Sequence, residues 1–180
     1  DIKLFDFGLA KELHEHQRNS DGTYNLTDET GSLLYMAPEV ANGQPYNATC
    51  DSYSFSIVLW QMLVLEEPFR EYTPRSMREK VYNGPQKRPS IADTANLTQT
   101  MKLCLQRGWA HNWNERSSME QIVSILKKEC IRVREGNEDG LNHYHRRSTF
   151  VFNRSARMPN SSPQPKSGKR FSFFGSEAEA

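Results

Sequence analysis

The stretch Phe55-Ser56-Ile57-Val58-Leu59-Trp60-Gln61-Met62-Leu63-Val64-Leu65 carries apolar residues at nine of its eleven positions. It is too long for a typical strand and too short for the ~20 residues of a membrane span, so it predicts a helix apolar on nearly all sides. Such a helix has to be enclosed by other elements. The chain must therefore supply further amphipathic helices to cover it. The polar run before it, from Tyr46 to Thr49, leads into a helix predicted over 51–65. Glu66-Glu67-Pro68-Phe69 stops that helix, since proline cannot continue it.

The covering helices are legible downstream. Residues 74–82 place Met77, Val81 and Tyr82 on one side before the Asn83-Gly84-Pro85 stop. Residues 96–107 repeat Leu97, Met101, Cys104 and Leu105 at helical spacing. Ser117-Ser118-Met119-Glu120 reads as a capping box, with Ser117 at the N-cap and Glu120 three residues on. It opens a last helix that turns Ile122, Ile125, Leu126 and Cys130 to the core and ends near Arg134. Upstream, Ile2-Lys3-Leu4-Phe5 predicts a short strand. The expected fold class is mainly α with a short β remnant at the N-terminus.

The whole chain of 180 residues has room for one domain and a tail. Its net charge of +1 gives no case for nucleic acid. No apolar run reaches membrane-spanning length. The three cysteines, Cys50, Cys104 and Cys130, have no metal-ligand spacing and predict reduced thiols in a cytoplasmic protein. His14 and His16, two apart in a polar stretch, read as solvated rather than metal-binding. Beyond residue 136 the composition changes. Residues 140–180 hold seven Lys or Arg against two Glu, with many Ser, Asn and Pro. That composition cannot bury enough apolar surface to order itself. The predicted division is 1–134 as a domain and 135–180 as a basic, Ser/Pro-rich disordered tail.

Two tripeptides frame the polar segment near the start. Asp6-Phe7-Gly8 opens it, and Ala37-Pro38-Glu39 closes it. Between them lie the hydroxyls of Ser20, Thr23, Tyr24, Thr27, Thr30 and Ser32. D-F-G and A-P-E bracketing a phosphorylatable loop belong to the protein-kinase signature set. Asp51-Ser52-Tyr53-Ser54-Phe55-Ser56, Arg88-Pro89 and Trp109…Arg116 add to the match. The chain resembles the C-terminal lobe of a protein kinase domain, of the tyrosine-kinase-like and Raf-like serine/threonine type, over residues 1 to about 134. Four positions depart from the family pattern: Ser32 stands for Thr, Ser56 for Gly, Gly108 for Cys and Ser117 for Pro.

The resemblance implies roles. Asp6 would hold the Mg2+ that bridges the ATP phosphates, with Phe7 packed inward and Gly8 permitting the turn. Thr27 and Thr30 are candidate phosphosites for an upstream kinase, where a phosphate adds about −1.5 to −2 charges. Ser32 belongs to the substrate loop, which has the form found in serine/threonine kinases. Glu39 and Arg116 would form a buried pair. Asp51 would be a buried helix anchor that accepts backbone N–H groups of the catalytic loop. No Gly-rich loop, strand Lys or H-R-D precedes Asp6, so the catalytic-loop Asp is absent from these 180 residues, which read as a fragment inactive on its own. The implied activity of the parent is transfer of the ATP γ-phosphoryl group to Ser or Thr of protein substrates. The alternative is a non-catalytic, pseudokinase-like scaffold or docking module.

Overall fold

The computed structural model describes residues 3–27, 31–92 and 97–136. The chain divides into two units, Asp1–Glu138 and Asp139–Ala180. The second, with the tail expectations made for it, lies outside the described residues. The first unit is built from helices: α1 (Pro38–Ala41), α2 (Thr49–Val64), α3 (Pro74–Met77), α4 (Gln99–Gly108) and α5 (Met119–Gly136). Among the described residues, extended pairing is confined to one antiparallel bridge between Tyr24 and Tyr46.

α2 is the axis of the unit, as its composition requires. Tyr53, Ile57 and Trp60 are buried, and α4 and α5 both pack on α2. Burial of each such large side chain contributes roughly 1.5–3 kcal/mol. α2 begins two residues before the predicted start. The Asn47 side chain accepts bonds from the Thr49 N–H at 3.0 Å and the Thr49 hydroxyl at 2.7 Å, which defines that end. The helix stops at Leu65, which takes a left-handed φ of 61°. That stop lies three residues ahead of the proline expected to cause it. Burial is also less complete than predicted: Val58 and Met62 are exposed, because nothing among the described residues packs on that face.

The predicted helix 74–82 is a composite. One α turn, capped by the Thr73 hydroxyl on the Ser76 N–H, runs into a π turn over Arg78–Tyr82. α4 turns Met101, Cys104 and Leu105 inward, as its spacing predicts. The capping box of α5 is present but shifted by one residue. Ser118, not Ser117, accepts from the Gln121 N–H at 3.3 Å, and Gln121 accepts from the Ser118 N–H at 3.0 Å. Ser117 is instead buried. Ile122 is fully buried, as its spacing predicts, whereas Cys130 is exposed, against expectation.

The predicted strand at 2–5 is not seen in its described part. Residues 3–5 are exposed and irregular, because no neighbouring strand among the described residues takes up their backbone bonds.

Candidate active-site segment

Asp6 occupies the left-handed region at φ 62°, and its Oδ1 accepts the Gly8 N–H at 3.3 Å. The turn is therefore made by Asp6, which tolerates this backbone through a local side-chain bond. Gly8 is not the left-handed residue. Phe7, expected to pack inward, is 70 % exposed, and Leu4, Phe5 and Leu9 beside it are also exposed. No described element lies over them. Asp6 offers an exposed carboxylate on a short constrained turn. Mg2+ takes one or two protein carboxylates and completes its octahedron with waters and phosphates, so Asp6 fits one such position. Among the described residues no group of three or more potential ligands gathers, His14 and His16 included.

The polar segment after it carries more local structure than its composition suggests. Glu15–Gln17 forms a 3-10 turn. Asp21 accepts both the N–H and the hydroxyl of Thr23, at 3.0 and 2.7 Å, and these bonds hold the Asp21 carboxyl below its usual range. Thr23 is buried. The Thr27 side chain is exposed, while its carbonyl accepts the Tyr46 hydroxyl at 2.8 Å. Thr30, the other candidate phosphosite, lies outside the described residues. Ser32 is exposed.

The far end of the segment is fixed most firmly. Pro38 starts α1 at a position where a missing N–H costs nothing. Glu39 follows and is buried. Arg116 donates Nη1 to Glu39 Oε1 at 2.5 Å and Nη2 to Oε2 at 2.6 Å, a two-pronged ion pair spanning 77 residues of sequence. The remaining guanidinium donors reach the carbonyls of Ala110, His111 and Thr49. This buried charge is thus fully bonded, the condition under which such a pair is tolerated. The expected pairing of Glu39 with Arg116 is present in the geometry.

Sequence reasoning missed the aromatic that this pair rests on. The Arg116 and Arg88 guanidinium carbons each lie 5.1 Å from the centre of the Tyr53 ring. Contacts of this kind contribute about 0.5–2 kcal/mol. Tyr53 stands between Ser52 and Ser54 in the polar first turns of α2, so no periodicity singled it out. Its ring serves the two cations, while its buried hydroxyl has no hydrogen-bond partner among the described residues.

Asp51 departs from expectation. It is exposed on the first turn of α2 rather than buried, because among the described residues its carboxylate is not enclosed by another segment. It lines an open cleft of about 400 Å³ together with Leu9, Lys11, Ser32, Met36 and Cys50. Burial, with Asp51 adjoining, pushes the Cys50 thiol up to about 12, so it stays protonated and unreactive at neutral pH. The fold thus brings Ser32 and Asp51 to one cleft and joins Glu39 to Arg116, while Asp6 stands outside the cleft lining.

The segment that begins at Asp6 is thus anchored at its far end on a helical lobe. A family model of the protein kinase domain matches residues 1–126. The chain belongs to the protein kinase domain family. It is 33 % identical over 127 residues to mitogen-activated protein kinase kinase kinase 7 of Homo sapiens, covering 69 % of this chain and 19 % of that protein. It is 34 % identical over 127 residues to serine/threonine-protein kinase VIK of Arabidopsis thaliana, covering 71 % of this chain and 28 % of that protein. It is 35 % identical over 130 residues to dual specificity protein kinase shkA of Dictyostelium discoideum, covering 72 % and 24 %. The kinase-domain chain thus spans between about a fifth and just over a quarter of these relatives. Among its described residues no helix is long and apolar enough to cross a membrane.

Proposed function

We propose that this chain is the substrate-binding part of a protein kinase that transfers the γ-phosphoryl group of ATP to Ser or Thr of cytoplasmic protein substrates. The observation that carries the proposal is the two-pronged Glu39–Arg116 pair, which ties the end of the segment opened by Asp6-Phe7-Gly8 to the helical lobe. Phosphoryl transfer depends on positioning and on neutralising charge, so a rigidly held substrate loop is a direct contribution to it. Asp6 would hold Mg2+ through its exposed carboxylate, and the ion would supply positive charge against the phosphates. Ser32 presents its hydroxyl in the substrate loop. Asp51 is the acceptor for backbone N–H groups of the catalytic loop, a role supported by its exposure on the cleft wall. Specificity for Ser and Thr follows from the form of the loop Gly31–Glu39, which matches that of serine/threonine kinases. An upstream kinase acting on Thr27 or Thr30 would order the segment by pairing phosphate with Arg or Lys.

The test uses a complete kinase domain that contains these residues. With Mg-ATP it should phosphorylate Ser and Thr positions in a peptide library, and Asp6→Asn should abolish transfer while leaving the fold intact by circular dichroism. Transfer confined to Tyr would overturn the assigned specificity. Absence of transfer from the unsubstituted domain would overturn the enzymatic reading in favour of a docking module.

A further inference from the structure

The π turn that follows α3 does something no regular helix would. The Asn83 N–H donates to the Arg78 carbonyl at 3.0 Å across five residues, which widens the turn by one residue. Insertions of this kind recur at functional sites. The chain then folds back tightly, with the Lys87 N–H on the Lys80 carbonyl at 2.8 Å. A side chain at Gly84 would put its Cβ 2.0 Å from the Glu79 carbonyl oxygen, so only glycine permits that return. The outcome is that Val81 and Tyr82, neighbours in sequence, are both buried.

The buried Tyr82 reaches beyond its own element. Its phenol donates to the Leu33 carbonyl, one residue past Ser32. Four residues earlier, Arg78 Nη1 donates to the Ala41 carbonyl at 3.3 Å. One short element therefore holds main-chain carbonyls at both ends of residues 33–41. Ahead of α1, Tyr35 adds two further bonds: its N–H donates to the Ser32 carbonyl at 3.0 Å, and its hydroxyl reaches Gln61 at 2.7 Å. Burial pushes the Tyr82 phenol well up from its usual value, so it remains an O–H donor throughout the physiological range.

We propose that Tyr82 is a positioning residue for the substrate loop, fixing the backbone of residues 32–35 through the Leu33 carbonyl in the shape that receives the polypeptide around the acceptor hydroxyl. The consequence for substrate binding rests on the function proposed above. The effect on the loop itself does not.

Two measurements on Tyr82→Phe, which keeps the ring and its packing, test this. The first is amide hydrogen exchange on the 180-residue chain. Loss of one hydrogen bond should raise exchange across residues 32–37 about threefold to tenfold, with α2 and α5 unchanged. No change at 32–37, or an equal rise in all three regions, overturns the proposal. The second is steady-state kinetics on the complete domain. The KM for a peptide substrate should rise about threefold to tenfold while the KM for ATP stays put. Equal movement of both constants, or of neither, overturns the catalytic consequence. A domain inactive before substitution would count against the proposed function alone, since exchange decides the role of Tyr82 in the loop.

Discussion

At the scale of single residues, Glu39 and Arg116 are where charge and burial meet. Neither is replaceable by a near relative. Arg116→Lys keeps the charge but cannot match two carboxylate oxygens and three carbonyls with one ammonium. Either Arg116→Ala or Glu39→Ala leaves a buried charge alone and should cost about 3–5 kcal/mol, read from urea denaturation. Arg116→Lys should recover only part of that. His111 shares this neighbourhood. Burial, then the positive charges of Arg88 and Arg116, hold its imidazole below the ordinary 6.5. The folded state therefore binds fewer protons here than the unfolded state, and stability should fall as pH drops below about 6.5. His111→Gln should flatten that part of a pH-stability profile. The ion pair was expected only through the resemblance, because Ala37-Pro38-Glu39 and Trp109…Arg116 match family motifs; the 77-residue separation of the partners gives no sign of it. Asp51 was misread because burial of a carboxylate depends on what packs over it, and no local pattern reports that.

At the scale of elements, two departures from the family pattern turn out to be one. Ser56 on α2 and Gly108 on α4 face each other: a Cβ at Gly108 would lie 1.9 Å from the Ser56 hydroxyl oxygen. Where the family pattern has Gly on α2 and Cys on α4, this chain has Ser56 and Gly108 at a close approach of the two helices. Gly108→Ala should destabilise by about 1–3 kcal/mol through overpacking. The double variant Ser56→Gly with Gly108→Ala should regain most of it, and a double-mutant cycle by thermal unfolding measures the coupling. Each position looked like a separate small deviation in the sequence, because contact between helices leaves no trace in the spacing within either. The α5 cap is a similar case. Two hydroxyl-bearing candidates, Ser117 and Ser118, lie in a row, and tertiary burial of Ser117 leaves Ser118 to cap. Ser118→Ala should cost about 1 kcal/mol, whereas Ser117→Ala should not release the helix end.

At the scale of the whole molecule, helix content, the burial of α2 and the inward faces of α4 were all written in periodicity. The strand predicted at 2–5 does not appear in its described part, because a strand exists only with a neighbour. The 180 residues alone are expected to transfer no phosphate to a generic basic protein, as a radiolabel assay would show, since no catalytic-loop Asp stands among them. The row of Leu4, Phe5, Phe7 and Leu9, all left open to water, bears on how such a chain behaves in solution. Grease on one flank is what holding chaperones seize and what the dye ANS lights up. Expressed in isolation, this lobe should travel with heat-shock proteins and clump at high concentration. Trimming or charging those four side chains should cure the stickiness without touching the helical core.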